Sequence, residues 1–302
     1  MAIPLRPFGR HGGVMVSALA LGGYHIGEMT SAREAVRVVH ASIDAGITFM
    51  DNAWEYNDHE SEIRMGRAIA DRRDRVFLMT KVCTHGRGAA VAMRQLEQSL
   101  RRLKTDYLDL WQVHECVYYN EPDLHFAPGG VIEALDRAKR EGKVRFVGFT
   151  GHKDPEIHLR MLAHGYPFDA CQLPLNVFDG TFRSFERQVL PELQRQGIAP
   201  LGMKSLCGTG NPVAKRAVTV EEALRYVLSL PIASLVSGID SMQILKQNVR
   251  IASAFKPLTD VQMDRLRRRA AAVAADGRFE RHKTTTEHDG PEGRQQHGFP
   301  LS

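Results

Sequence analysis

Short apolar runs alternate with longer amphipathic stretches along most of this chain. The runs at 18–22, 48–50, 76–80, 108–113, 144–149, 170–173, 199–203 and 234–236 read as strands buried on both faces. Between and after them, 31–45, 60–71, 88–103, 129–141, 154–164, 182–196, 219–229 and 242–255 predict helices, and a last one follows at 259–275. Ser31 with Glu34 three residues on is a capping-box pattern, and Gly142, Gly165 and Gly197 stand where left-handed C-caps form. The segment 5–16 centres on Gly9-Arg10-His11-Gly12-Gly13, which predicts a β-hairpin.

About eight strand–helix units predict an (α/β)8 TIM barrel with an N-terminal β-hairpin over residues 1–275. A doubly wound fold would carry GxGxxG after its first strand, and none stands there. From Asp276 onward the chain turns polar and loses apolar periodicity. Two readings of 276–302 stay open: a mobile tail, or a loop over the barrel mouth that shapes the substrate site.

Composition narrows the function. The chain has 302 residues and a formal charge of +5, with Lys and Arg spread among similar numbers of acids. That is mainly a solvated surface, with room for a modest basic patch toward an anionic cofactor. A basic stripe interleaved with aromatics is lacking, which argues against a nucleic-acid partner. No apolar segment reaches the roughly 20 residues of a membrane helix. Pro4, Arg6, Pro7 and Gly9 break up any signal-peptide core. Cys83, Cys116, Cys171 and Cys207 form no CxxC pair and read as reduced thiols, with a metal or redox cluster as the sharper alternative. The expectation is a cytoplasmic protein, with no metal, acting on a small molecule.

The chemistry lies at the strand ends. Asp51 follows the second run, Lys81 the third and His114 the fourth, with Tyr56 in the loop five residues past Asp51. In a barrel these four converge on the C-terminal face, where catalysis sits. Singly, each has an ordinary reading: a capping acid, a packing phenol, a surface amine, a core histidine. Jointly, an acid, a phenol, an amine and an imidazole suit proton transfer.

These residues also carry a likeness. Phe8-Gly9-Arg10-His11-Gly12, Asp51-Asn52-Ala53-Trp54-Glu55-Tyr56 with Ser61-Glu62 and Gly66-Arg67-Ala68, Tyr107-Leu108-Asp109-Leu110 with Val113-His114, and Gly142 to Thr150 stand in the order of the aldo-keto reductases. Over nearly its whole length the chain resembles that family, in a less-studied bacterial-type branch. The resemblance implies a barrel that binds a nicotinamide cofactor, NADP or NAD, without a Rossmann domain. It implies hydride transfer between that cofactor and a carbonyl or alcohol substrate. Asp51, Tyr56, Lys81 and His114 match the catalytic tetrad, with Tyr56 as general acid/base.

The same resemblance assigns cofactor contacts. Gln172 matches the carboxamide-binding glutamine. Where the family usually has Ser-Asn, this chain has Thr150-Gly151, which keeps a hydroxyl and loses an amide. Met203 stands where an aromatic often stacks on the nicotinamide, and Lys204 after it is a candidate for the pyrophosphate. The 2′-phosphate segment, Gly238 to Ile244 with Ser241 inside it, offers no cation and one acid, Asp240. Gln247 and Asn248 match the adenine end. Tyr24, Trp54 and Tyr118 are candidate substrate contacts; Trp54 has a packing alternative. His152 and Lys153 either contact substrate or phosphate or simply precede a helix at Pro155. Lys81 is expected to lower the Tyr56 pKa, with Asp51 orienting Lys81 and His114 assisting at the carbonyl oxygen. The competing reading is a nicotinamide-binding sensor or regulatory subunit with little turnover.

Overall fold

The structure is a computed structural model that describes residues 2–83 and 88–290. Leu5–Phe8 (β1) and His11–Ser17 (β2) form an antiparallel hairpin. Eight parallel strands follow: Leu19–Gly22 (β3), Phe49–Asp51 (β4), Phe77–Val82 (β5), Leu108–Val113 (β6), Val144–Thr150 (β7), Ala170–Pro174 (β8), Ala199–Met203 (β9) and Ser234–Gly238 (β10). They close into a barrel in sequence order, with β10 pairing β3. The expected (α/β)8 barrel and N-terminal hairpin are thus both present.

Burial explains why the strands read as unbroken apolar runs. One face fills the barrel and the other packs beneath the helices. Inside the barrel lie Ala20, Phe49, Met79, Leu110, Ala170 and Leu201 among others. The hairpin closes the lower end: Phe8 is fully buried, its ring 5.0 Å from Phe77 and 5.1 Å from Phe146. Gly9 makes that plug possible. It sits at φ +55°, and a Cβ there would lie 2.6 Å from both the Gly197 carbonyl oxygen and the Ala199 nitrogen.

Most helices fall where the spacing put them, including Ala32–Asp44, Ala89–Leu103, Val131–Arg140 and Asp260–Ala274. Only half of the Ser31 capping box forms. Ser31 Oγ accepts from the Glu34 amide at 3.3 Å, but the Glu34 carboxylate pairs with Arg37 instead. The helix expected over 182–196 is two pieces, Phe185–Gln188 and Leu190–Gln196. Pro191 cannot donate into a continuous helix, so it opens the second piece. Short helices at Gly23–Glu28, Glu121–Phe126 and Asn211–Ala214 sit in connections that sequence reasoning left as loops. All four cysteines are buried. Among the described residues no helix is long and apolar enough to cross a membrane.

The chain past Asp276 has structure as far as it is described. A short helix, Arg281–Thr284, buries His282 and Lys283. Lys283 Nζ reaches Asp179 at 2.7 Å, Glu280 at 2.8 Å and the Phe182 carbonyl at 2.9 Å. Lys153, just past β7, donates to the Thr285 carbonyl at 2.6 Å and to Asp289 at 2.8 Å. Residues 291–302 of the expected tail lie outside the described residues.

Candidate active site

Barrel topology brings the four expected proton-handling residues to one end. Asp51 ends β4, Lys81 lies near the end of β5, and His114 follows β6 directly. Tyr56 returns to the same place through a tight loop. Asn57, Asp58 and His59 all hold positive φ (53°, 51° and 74°). Asn, Asp and His are the residues besides glycine that best tolerate this region.

The four side chains form one network. Lys81 Nζ donates to Asp51 Oδ1 at 2.5 Å, to the Asn52 carbonyl at 2.7 Å and to Tyr56 Oη at 3.2 Å. Asp51 and Lys81 are almost wholly buried. The His114 ring packs edge-on to Tyr56, with centroids 5.5 Å apart. On its far side, His114 Nδ1 hydrogen-bonds Glu55 Oε1. Sequence reasoning missed that carboxylate as a functional group, although it sits inside the motif. A carboxylate on Nδ1 fixes the ring orientation and turns Nε2 away from Glu55.

One expectation is overturned. Tyr56 is not acidified by Lys81. Burial comes first, and the charges of Asp51, Glu55 and Glu115 add to it, pushing the phenol well above its ordinary value. The physical reason is local. Asp51 sits tight against Lys81, so little positive charge is left for the phenol. Burial also raises Asp51, against the pull of Lys81. What Lys81 does give Tyr56 is an N–H into its oxygen, which leaves the phenolic O–H to point elsewhere as a donor.

The remaining candidates are placed as follows. Tyr24 lies at the rim, 46% exposed, its ring edge-on to Tyr56 at 5.4 Å. Trp54 turns outward: its Nε1 donates to Gln98 on the helix Ala89–Leu103 at 2.8 Å, and its ring packs on His59. Tyr118 is half-buried in the connection after β6. Thr150 and Gln172 are register partners at the ends of β7 and β8, both buried. Met203 ends β9, and Lys204 follows in a left-handed conformation, half-buried. His152 is buried beyond β7, where Asp154 caps the next helix by accepting from the Glu156 amide at 2.9 Å.

Do these residues fit a nicotinamide dinucleotide? Gln172 Oε1 accepts from Gln112 at 3.3 Å, and its amide nitrogen has no protein partner among the described residues. Gly151 has a packing reason: a Cβ there would lie 2.4 Å from the Cys116 carbonyl and 2.7 Å from the His158 ring. An asparagine cannot stand at that position in this backbone. Ser241 caps the helix Met242–Ser253, whose N-terminus suits phosphate. Asn248 donates to Ser237 Oγ at 3.1 Å, while its buried Oδ1 has no partner. Gln247, Arg250 and Arg216 line a cavity of about 610 Å³ beside that helix. The orphaned amide oxygen suits the adenosine half; the neighbouring cavity carries Glu221 and Glu222 beside its arginines. Arg37 shares a second cavity with Asp240 and Ser241, but it is already ion-paired with Glu34 at 2.8 Å.

Comparison with known proteins decides the family. Residues 18–212 match the model of the aldo/keto reductase family. This chain belongs to that family. Its members are NAD(P)-dependent oxidoreductases, and NADP or NAD is the cofactor implied here. The chain is 31% identical to aldo-keto reductase YhdN of Bacillus subtilis over 65% of its own length and 60% of that protein's. It is similar in fold to aldo-keto reductase AKR11C1 from Bacillus halodurans, with a TM-score of 0.75, 22% identity and coverage of 90% and 97% of the two chains. An aldo-keto reductase from Klebsiella pneumoniae, solved with NADPH, shares 26% identity at a TM-score of 0.71, covering 89% and 95%.

Proposed function

We propose that this aldo-keto reductase interconverts a carbonyl compound and its alcohol, with Tyr56 as the proton donor in reduction. The observation that carries the reading is the bridge of Lys81 Nζ between Asp51 Oδ1 (2.5 Å) and Tyr56 Oη (3.2 Å). The nicotinamide cofactor supplies the hydride when bound. Thr150, Gln172, Lys204, Ser241, Gln247 and Asn248 are the residues that would hold it, with Met203 and Gly238 alongside.

The chain's own residues handle the oxygen. Lys81 fixes the Tyr56 oxygen and frees its O–H for the substrate. A phenol held neutral by burial and nearby carboxylates keeps its proton until the carbonyl oxygen gains negative charge. That rise in basicity is what draws the proton across. His114, oriented by Glu55, supplies a second donor to the same oxygen from Nε2 when protonated. Tyr24 and Tyr118 would flank the substrate; Trp54 packs away from it. The segment 276–290 would roof the mouth. A sensor with little turnover would have no use for this buried proton network.

The test is oxidation of NADPH and NADH with a panel of aldehydes and ketones. Turnover on some member is expected, with NADH bound at least as tightly as NADPH. A large NADPH preference would instead point to Arg37 as the phosphate contact. Tight cofactor binding with no turnover on any carbonyl would overturn the proposal in favour of a sensor.

A further inference from the structure

Past the proton network lies a group of side chains that the chemistry above does not use. His152 stands two residues beyond β7. His282 and His288 reach it from the C-terminal segment, with rings edge-on at 6.0 and 6.1 Å from His152. His152 is 2% exposed and His282 1%. Neither Nε2 of His152 nor either ring nitrogen of His282 has a hydrogen-bond partner among the described residues. Buried polar atoms are rarely left so in a folded protein without a role for a water or a ligand. These atoms lie at the catalytic end of the barrel, because His152 follows Thr150, which ends β7 beside Gln172.

The chemistry of these groups selects among ligands. Burial and the neighbouring positive charges hold both imidazoles well below their ordinary pKa, so each is neutral. A neutral imidazole offers one donor and one acceptor. Two further acceptors lie close to His114: Glu55 Oε2, buried and unpartnered, and the half-buried Glu115 carboxylate. Lys204 already faces Glu115. A substrate carboxylate brings acceptors alone and would lie against these two acids. An aromatic substrate would leave the imidazole nitrogens unpaired. A hydroxyl both donates and accepts, so it satisfies an imidazole nitrogen of either kind and a carboxylate oxygen as well. A metal is not the occupant that the geometry favours, since no three His, Cys, Asp or Glu among the described residues are arranged to hold one.

We propose that the substrate is a carbonyl compound carrying several hydroxyl groups, and that His152 and His282 grip those hydroxyls beneath the C-terminal segment. This deepens the oxidoreductase reading and rests on it. The segment is held in place from two sides, by Lys153 on Thr285 and Asp289 and by Lys283 on Asp179. A polar, acid-containing segment is thus held against the connections after β7 and β8, which fixes where its histidines stand.

The experiment compares kcat/KM for matched carbonyls: propanal against glyceraldehyde, butanal against erythrose and succinic semialdehyde, with benzaldehyde as the aromatic probe. The hydroxylated members are expected to lead their plain partners by at least about tenfold, roughly the effect of one to two neutral hydrogen bonds. His282→Leu should cut that ratio about tenfold, whatever it does to the common rate, and His282→Asn should keep part of it. Titration calorimetry of xylitol into the protein with NADP+ reads the pocket without turnover: heat is expected for the wild type and none for His282→Leu. Failure to reduce any carbonyl would sink the oxidoreductase reading, while the xylitol titration would still judge the pocket. Equal or reversed ratios, a preference for succinic semialdehyde or benzaldehyde, an unchanged ratio in His282→Leu, or no xylitol heat would overturn the proposal.

Discussion

Replacing Lys81 with methionine removes the centre of the proton network and tests whether its charge is needed. Lys81 is 1% exposed and sits 2.5 Å from Asp51 Oδ1, which is itself buried. Methionine matches the volume but leaves a buried carboxylate without its cation. Breaking a buried pair in this way costs about 3–5 kcal/mol. Burial already raises the Asp51 pKa against the opposing pull of Lys81. Without Lys81 the rise is larger, and the folded variant binds a proton that the unfolded chain has released. Where the folded state holds more protons, stability falls as pH rises. The window runs from the ordinary carboxylate range up to the raised Asp51 value. Across it, stability changes by at most about 1.4 kcal/mol per pH unit. Lys81→Met should therefore be destabilised most at about pH 8 and recover toward about pH 5. Urea unfolding followed by circular dichroism at both values measures this, with wild type as reference. Adding Asp51→Asn should recover part of the loss at pH 8. The reasoning fails if the deficit is the same at both pH values, or if the double variant is no better than the single one.

Three further outcomes follow from other contacts. Because the Tyr56 phenol lies well above its ordinary pKa, reduction should hold its rate from about pH 7 to 9, and alcohol oxidation, which needs the phenolate, should rise about tenfold per unit; steady-state profiles in both directions check it. Glu55→Gln keeps a hydrogen bond to His114 Nδ1 but removes the charge, so kcat should fall about 10- to 100-fold while cofactor affinity holds; a fall in cofactor affinity instead would make Glu55 structural. Lys283→Met strips the cation from Asp179 and Glu280 and should release the 276–290 segment, seen as faster hydrogen exchange there than in the barrel strands; uniform acceleration would mean the segment is not a separate unit.

Much of this was legible in the sequence because a parallel barrel is written in short apolar runs. Strands buried on both faces are mostly apolar until they emerge, so the polar Asp51, Lys81 and His114 at their ends point to the mouth. The break at Pro191 was missed, although a proline nine residues into the expected helix 182–196 was a signal for it. What stayed hidden depends on contacts across the fold. Glu55 is one more charge in a loop until the barrel sets it against His114, 59 positions away. Lys283 reads as a solvated tail residue, yet it is fully buried because Asp179, 104 positions earlier, meets it. The Tyr56 shift was misjudged for the same reason: burial comes first, and the charges of Asp51, Glu55 and Glu115, from separate connections, add to it only once the barrel closes. Gly151 looked like a lost cofactor contact, whereas the Cys116 carbonyl leaves no room for a side chain.

The most direct test of the central claim is single-turnover reduction of a reactive aldehyde by Tyr56→Phe, with cofactor binding measured on the same sample. Phenylalanine keeps the ring against His114 and Tyr24 and removes only the hydroxyl. Loss of at least about 10²-fold in the reduction rate, with cofactor affinity nearly intact, is the expected result. An unchanged rate would show that the proton comes from another group, and would contradict the role given to Tyr56.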